Sequence, residues 1–166
     1  MKRLTMLRHA KSSWKDLSLA DADRPLTKRG KRNAPEMGER FARQYSDDDV
    51  VVVSSTARRA RTTARLFAEA AGISKENIRS DDRVYQADAK GLLTIVRGFD
   101  DQWGHVVLVG HNPAFTDFIN SATKHFIENL PTAGLAVLQY PVERWADVAT
   151  EPAVLAELAV PRKKQR

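Results

Sequence analysis

Three short stretches of this chain carry side chains that could do chemistry together. Arg8 and His9 stand side by side where a short apolar run, Leu4 to Leu7, ends. Ser54, Ser55 and Thr56 follow the valines 50–53 and are succeeded by Arg58, Arg59 and Arg61. Gly110-His111-Asn112-Pro113 follows the apolar run 106–109. Arginine's planar fork matches the oxygens of a phosphoryl group and stays charged at any working pH, so two arginines make a seat for a dianion. A neutral imidazole can attack phosphorus, and a covalent phosphohistidine splits one displacement into two. A second histidine can donate to an equatorial oxygen as charge builds in the transition state. None of these steps requires a metal, and no cofactor is expected.

Each stretch also has a plain structural reading. An Arg-His pair is an ordinary polar flank of a buried strand. Arg58, Arg59, Arg61 and Arg65 make an ordinary solvated helix face, from which only the helix start separates Arg59. The sequence Gly110 to Pro113 makes an ordinary strand-to-helix turn with proline in the first turn. His105 at a strand start and His125 at a helix end are read as having no catalytic part. What favours chemistry is the order and placement of the three stretches, which depends on the elements that carry them.

The residues 4–7, 50–53 and 106–109 are continuous apolar runs of the kind found in central parallel strands. Between them the period becomes helical. Ala34, Met37, Phe41 and Tyr45 share a face of a helix capped near Thr27, in which Pro35 predicts a kink or a late start. Ala60, Ala64, Phe67 and Ala71 mark a second helix stopped by Gly72. Leu92, Leu93 and Val96 suggest a third, ending at Gly98, and Phe115, Phe118, Ile119 and Ala122 a fourth. The runs 135–138 and 154–158 read as two further strands, joined through Trp145 and placed at the edge, one of them antiparallel. This alternation predicts an α/β fold, a three-layer sandwich with a mainly parallel central sheet and helices on both faces. In such sheets ligands sit outside the carboxyl ends of the strands, which brings all three stretches to one rim.

The chain has 166 residues, 42% hydrophobic and 29% charged, and reads as one domain over residues 1–160 with a basic tail, 161–166. No run approaches the roughly 18 apolar residues of a membrane helix, and the N-terminus lacks a secretory pattern, so no membrane partner and a cytoplasmic location are expected. Cysteine is absent, which excludes disulfides and thiolate ligands or nucleophiles. The net charge of +6 favours anionic partners. Four of the cations lie in the tail, and without them the excess is too small to argue nucleic-acid binding.

With these residues in view the chain resembles the histidine phosphatase superfamily, the phosphoglycerate mutase-like fold, and within it the small SixA-type phosphohistidine phosphatases. The resemblance rests on LRHAKSSW, DRPLTKRGKRNAPEMG, VVSSTARRARTTA, DDRVYQA and LVGHNP, in that order over nearly the whole chain. It implies that His9 is the nucleophile and that Arg8 and Arg59 clamp the phosphoryl group, the latter framed by Ser55 and Thr63. It further implies that His111 is the second pocket histidine, with Ser12 beside them as a substrate contact. Ala10 stands where the broad motif has glycine, as in the SixA-like branch.

A second departure bears on the substrate. Where many esterases and mutases of the superfamily carry a glutamate, the pattern falls on Val84-Tyr85-Gln86, and Gln86 cannot donate a proton. An alkoxide leaving group needs that proton, and general acid catalysis contributes about 10² to 10⁴ in rate. A phosphoramidate needs it less, because its nitrogen can be protonated by solvent. The expected substrate is therefore phosphohistidine on a protein, reached through an open, shallow site. Asp16 and Asp21, in the loop after the first strand, are the candidate replacement acids, with Asp23 and Asp88 behind them. The alternatives are a phosphomonoesterase on small phosphorylated metabolites and a phosphate-binding module without catalysis.

Overall fold

The computed structural model describes residues 1–46, 48–149 and 152–163. Lys164, Gln165 and Arg166 of the basic tail lie outside the described residues. Six strands form one sheet: β1 (Lys2–Arg8), β2 (Val50–Ser54), β3 (Ile78–Ser80), β4 (His105–Gly110), β5 (Leu135–Tyr140) and β6 (Val154–Ala159). Their order across the sheet is β3-β2-β4-β1-β5-β6. The first four are mutually parallel, β5 runs antiparallel to β1, and β6 antiparallel to β5. Every residue of β2 and β4 is buried, which is why both read as unbroken apolar runs rather than alternating ones.

Four helices cover the sheet: α1 (Lys28–Tyr45), α2 (Arg58–Ala71), α3 (Ala89–Arg97) and α4 (Ala114–Ala122). One core packs α1 and α2 against the sheet through Met37, Phe41, Ala64 and Phe67, meeting Val52 and Val107. The other packs α3 and α4 against the opposite face through Leu92, Val96, Phe115 and Ile119, meeting Met6 and Leu108. The three-layer α/β sandwich is thus present, with a sheet that is parallel over its four consecutive strands.

Local chemistry explains the boundaries. Thr27 caps α1 by accepting from Gly30 N at 3.1 Å. Pro35 does not delay the helix, which starts at Lys28. Gly72 closes α2 in the left-handed conformation, φ 75°. Asp88 caps α3 by accepting from Gly91 N at 2.8 Å, so this carboxylate serves a helix end. Asn112 Oδ1 accepts from Thr116 N at 3.2 Å at the start of α4.

Two placements differ from the sequence expectation. β5 is interior, because β6 lies outside it, so only β6 is an edge strand at that side. β3, with one half-buried and two exposed residues, supplies too little apolar pattern to be read as a strand, yet it forms the other edge. Trp145 is fully buried in the connection between β5 and β6.

Candidate active site

The register of the sheet sets the site. Arg8 pairs with Gly110 across β1 and β4, and His9 N continues the ladder to Gly110 O at 3.0 Å. Ser54 pairs with Val109, and Ser55 N donates to Val109 O at 2.9 Å. The strand ends that carry Arg8-His9, Ser55 and His111 are therefore neighbours, although about a hundred residues separate the first from the last. The rings of His9 and His111 lie 5.2 Å apart between centroids.

His9 is 7% exposed, and its Nδ1 donates to the Ala10 carbonyl at 2.8 Å. A carbonyl only accepts, so this bond puts the ring proton on Nδ1 and leaves Nε2 with a free lone pair. Burial, chiefly, pulls the His9 imidazole down to about 3, with His111, Arg59 and Arg8 adding to the effect and the Ala10 bond opposing it. The ring is neutral at physiological pH, as a nucleophile must be.

His111 Nε2 lies 2.7 Å from Ser55 Oγ, which already accepts from Ala57 N at 3.2 Å. The Ser55 hydroxyl has no other acceptor among the described residues, so its proton is assigned to Nε2 and the His111 proton to Nδ1. That Nδ1 is buried and has no hydrogen-bond partner among the described residues. Burial first, then the positive charge of Arg59, brings His111 down to about 4.

The two arginines reach the site from different elements. Arg8 Nη1 donates to the Leu130 carbonyl at 3.0 Å, and the same carbonyl takes Asn112 Nδ2 at 2.9 Å. Arg59, in the first turn of α2, is 6% exposed, while Arg58, Arg61 and Arg65 on the same helix are exposed. The helix start thus singles out Arg59. Its Nη1 donates to the Asp21 carbonyl at 2.7 Å and its Nη2 to the Asp21 carboxylate at 2.9 Å. The Nε atoms of Arg8 and Arg59 are both buried and unpartnered. Five buried side-chain polar atoms lack a partner among the described residues, and three of them belong to this site. Unmade bonds to charged donors are costly, and three of them beside the two histidines could be met by the oxygens of an anion.

Thr63 ties the segment after His9 to α2. Its hydroxyl accepts from Ala10 N at 2.9 Å and donates to Arg59 O at 2.7 Å. The methyl group of Ala10 is accommodated in the core facing α1 and α2. Gly30 is required on the other side, since a Cβ there would stand 2.3 Å from Lys11 O.

The remaining candidates fall elsewhere. Ser12 is buried, and its Oγ accepts from Arg24 Nη1 at 2.9 Å. Asp16 is exposed and turned onto Ser18, accepting from its N at 3.0 Å and its Oγ at 2.6 Å. Asp21 does reach the site, but as an ionised partner. The Tyr85 hydroxyl, ahead of Arg59 and Arg24, holds its carboxyl at about 2, too low to donate a proton at neutral pH. Asp23 and Gln86 are exposed. His105 sits at the opposite end of β4, bonded to Thr5 Oγ1 at 2.7 Å and Asp48 Oδ2 at 2.9 Å.

Two residues of the site were not singled out from the sequence. Arg24 is buried, bonds Ser12 and Asp21, and stacks its guanidinium 3.5 Å over the Trp14 ring. Tyr85 lays its ring 5.6 Å from that of His111 and bonds Asp21. Both lie inside quoted motif stretches, DRPLT and DDRVYQA, which was the only signal for them. Among the described residues no group of three or more His, Cys, Asp or Glu is placed to hold a metal ion.

A sequence model of the histidine phosphatase superfamily (branch 1) matches residues 4–88, and the chain belongs to that superfamily. It is 30% identical to the uncharacterized protein MT1313 of Mycobacterium tuberculosis over 94% of this chain and all of that one. Among solved structures, the protein of Agrobacterium tumefaciens provisionally named phosphohistidine phosphatase SixA superposes with a TM-score of 0.78. The two share 27% identity over 96% of this chain and 99% of that one. A provisionally assigned SixA protein of Nakamurella superposes with a TM-score of 0.76 at 28% identity, over 96% of each chain. No described helix is long and apolar enough to cross a membrane.

Proposed function

We propose that the protein is a phosphatase working through a phosphohistidine at His9, and that its substrate is phosphohistidine on another protein. The observation that carries the reading is the set of three buried, unpartnered donors, Arg8 Nε, Arg59 Nε and His111 Nδ1, beside a histidine whose Nε2 lone pair is free. A phosphoryl group has three equatorial oxygens to offer such donors. His9 Nε2 attacks phosphorus in line with the leaving group, the P–N or P–O bond breaks, and its electron pair leaves with the departing atom. The arginines and His111 hold the charge that spreads over the equatorial oxygens. Water then attacks the phosphohistidine, the His9–phosphorus bond breaks, inorganic phosphate leaves, and the neutral imidazole is restored.

The leaving group decides the substrate class. The carboxylate at the pocket, Asp21, is ionised, and Gln86 stands where the superfamily's acid is found in esterases. That favours an imidazole leaving group, which solvent can protonate, over an alkoxide. The names of the Agrobacterium and Nakamurella proteins point the same way.

The test is a comparison of kcat/KM for phosphohistidine and for p-nitrophenyl phosphate and sugar phosphates, with wild type and His9→Ala. Phosphohistidine should be preferred, and His9→Ala should abolish turnover of every substrate while binding of inorganic phosphate survives. A preference for sugar phosphates would make the protein a phosphomonoesterase of metabolites. Unchanged turnover in His9→Ala would end the nucleophile assignment.

A further inference from the structure

The loop between β1 and the Asp21–Asp23 turn carries two large apolar side chains into solvent beside the phosphoryl seat. Trp14 is 65% exposed and Leu17 is 86% exposed. A tryptophan in a mobile loop costs ordering entropy whenever a partner captures it. Here the ordering is already done. Arg24 stacks on the Trp14 ring at 3.5 Å, Ser13 N donates to Pro25 O at 2.8 Å, and Lys15 N donates to Ser13 Oγ at 3.1 Å. The segment after it is fixed by Asp16 through Ser18. Arg24 in turn bonds Asp21, which bonds Arg59, so a continuous chain of contacts links the exposed ring to the phosphate clamp.

Cations outnumber carboxylates around this patch. Lys11 and Lys15 in the loop, Lys28 at the start of α1, and Arg58 and Arg61 at the start of α2 are exposed at the carboxyl end of the sheet. None of these five has an ion-pair partner among the described residues. Of the carboxylates at this rim, Asp21 is bonded by Arg59, Arg24 and Tyr85 and Asp16 by Ser18, while Asp23, and Asp82 just past β3, are exposed. A phosphorylated metabolite that fills the clamp leaves Trp14, Leu17 and the outer cations untouched. Only a partner extending well beyond the phosphoryl group collects their binding energy.

We infer that the Trp14–Leu17 loop is a docking surface for an acidic protein, whose apolar contact covers Trp14 and Leu17 while its carboxylates meet the surrounding lysines and arginines. This rests on the phosphatase reading of the site and adds the face that selects the partner. Rigid aromatic and arginine anchors are the residue types that dominate protein interfaces, and the cationic ring supplies steering that salt screens.

The test uses Leu17→Ser and Lys15→Glu, both exposed and outside the phosphoryl seat, so the hydrolysis of p-nitrophenyl phosphate should not change. The second substrate is one acidic protein phosphorylated on histidine or on serine. In each variant kcat/KM for the phosphoprotein should fall about 5- to 20-fold, through KM, and raising the salt should reduce the wild-type value toward that of the variants. Docking is overturned if the phosphoprotein value stays within twofold of wild type, if p-nitrophenyl phosphate loses as much, or if neither phosphoprotein is hydrolysed. Hydrolysis of the phosphoserine form alone, with the same loss in the variants, would keep the docking surface and refute the phosphohistidine reading.

Discussion

Asp21 holds Arg59 twice, through its backbone carbonyl at 2.7 Å and its carboxylate at 2.9 Å. The same carboxylate takes Arg24 Nε at 3.3 Å and the Tyr85 hydroxyl. A carboxylate with three donors fixes both guanidinium groups, with Arg59 Nε left buried and unpartnered, and it stays ionised far below neutral pH. These contacts predict a positioning role for Asp21, not that of an acid. In Asp21→Asn the ratio of kcat for p-nitrophenyl phosphate to kcat for phenyl phosphate should remain that of wild type, while KM for both rises several-fold. An acid role would instead depress the phenyl ester selectively, by about 10² or more.

The two pocket histidines give the protein an acid limb far from the usual imidazole range. His9 and His111 lie at about 3 and about 4 in the fold, against roughly 6.5 in an unfolded chain. Between those values the unfolded chain binds more protons, so the native state has its full stability above pH 6.5 and loses it as pH falls toward 4. With the ionisation of the substrate divided out, kcat/KM should be flat from pH 8 to about 5 and fall below it. A melting temperature lower at pH 5 than at pH 7.5, with the difference reduced in His9→Gln, would report the same coupling. A rate limb centred near 6.5 would show that at least one of the two rings is not held neutral by its burial.

Much of this arrangement is legible in sequence because it depends on short, local patterns. The runs 4–7, 50–53 and 106–109 read as buried strands, and parallel pairing of all three places Arg8, His9, Ser55 and His111 together. Arg59 was separable from its neighbours once α2 was started at the right residue, because helical spacing turns Arg58, Arg61 and Arg65 outward. What stayed hidden depends on tertiary contact. Arg24 reads as one charge in a basic stretch until Ser12, Trp14 and Asp21 gather on it. Tyr85 was passed over for its neighbour Gln86, because the family pattern asks for a proton donor and not for a ring beside His111. The interior position of β5 followed from β6 pairing outside it, a long-range choice that alternation in either strand does not encode.

Ser55 sets which nitrogen of His111 carries the proton. With Ser55 Oγ donating to Nε2 at 2.7 Å, Nδ1–H is the group left to meet a phosphoryl oxygen. Ser55→Ala frees the ring to take the other tautomer, so kcat/KM should fall by up to about 10²-fold, the scale on which one oxyanion donor is felt. The loss to stability should be about 1 kcal/mol, from the bond to Ala57 N. Nitrogen-15 shifts of His111 should show a protonated Nδ1 in wild type and a mixture in the variant. A protonated Nε2 in wild type would reverse the assignment.

Thr63 bridges the two halves of the clamp, and its removal tests whether they act as one unit. Thr63→Val keeps the shape of the side chain and deletes the hydroxyl, leaving the fully buried Ala10 N–H without its acceptor at 2.9 Å and Arg59 O without its donor at 2.7 Å. An unsatisfied buried donor costs about 1 to 3 kcal/mol. In a domain of this size that lowers the melting temperature by roughly 2 to 12 °C. Because Ala10 follows the nucleophile and its carbonyl receives His9 Nδ1–H, a shift of this peptide also misaims Nε2. Turnover should therefore fall more than phosphate affinity: kcat by at least tenfold at a temperature where the variant is fully folded, the dissociation constant of inorganic phosphate by less than threefold. Equal losses in both would show that Thr63 serves the fold alone, and Thr63→Ser, which restores the hydroxyl, should recover most of kcat if the bridge aims the nucleophile.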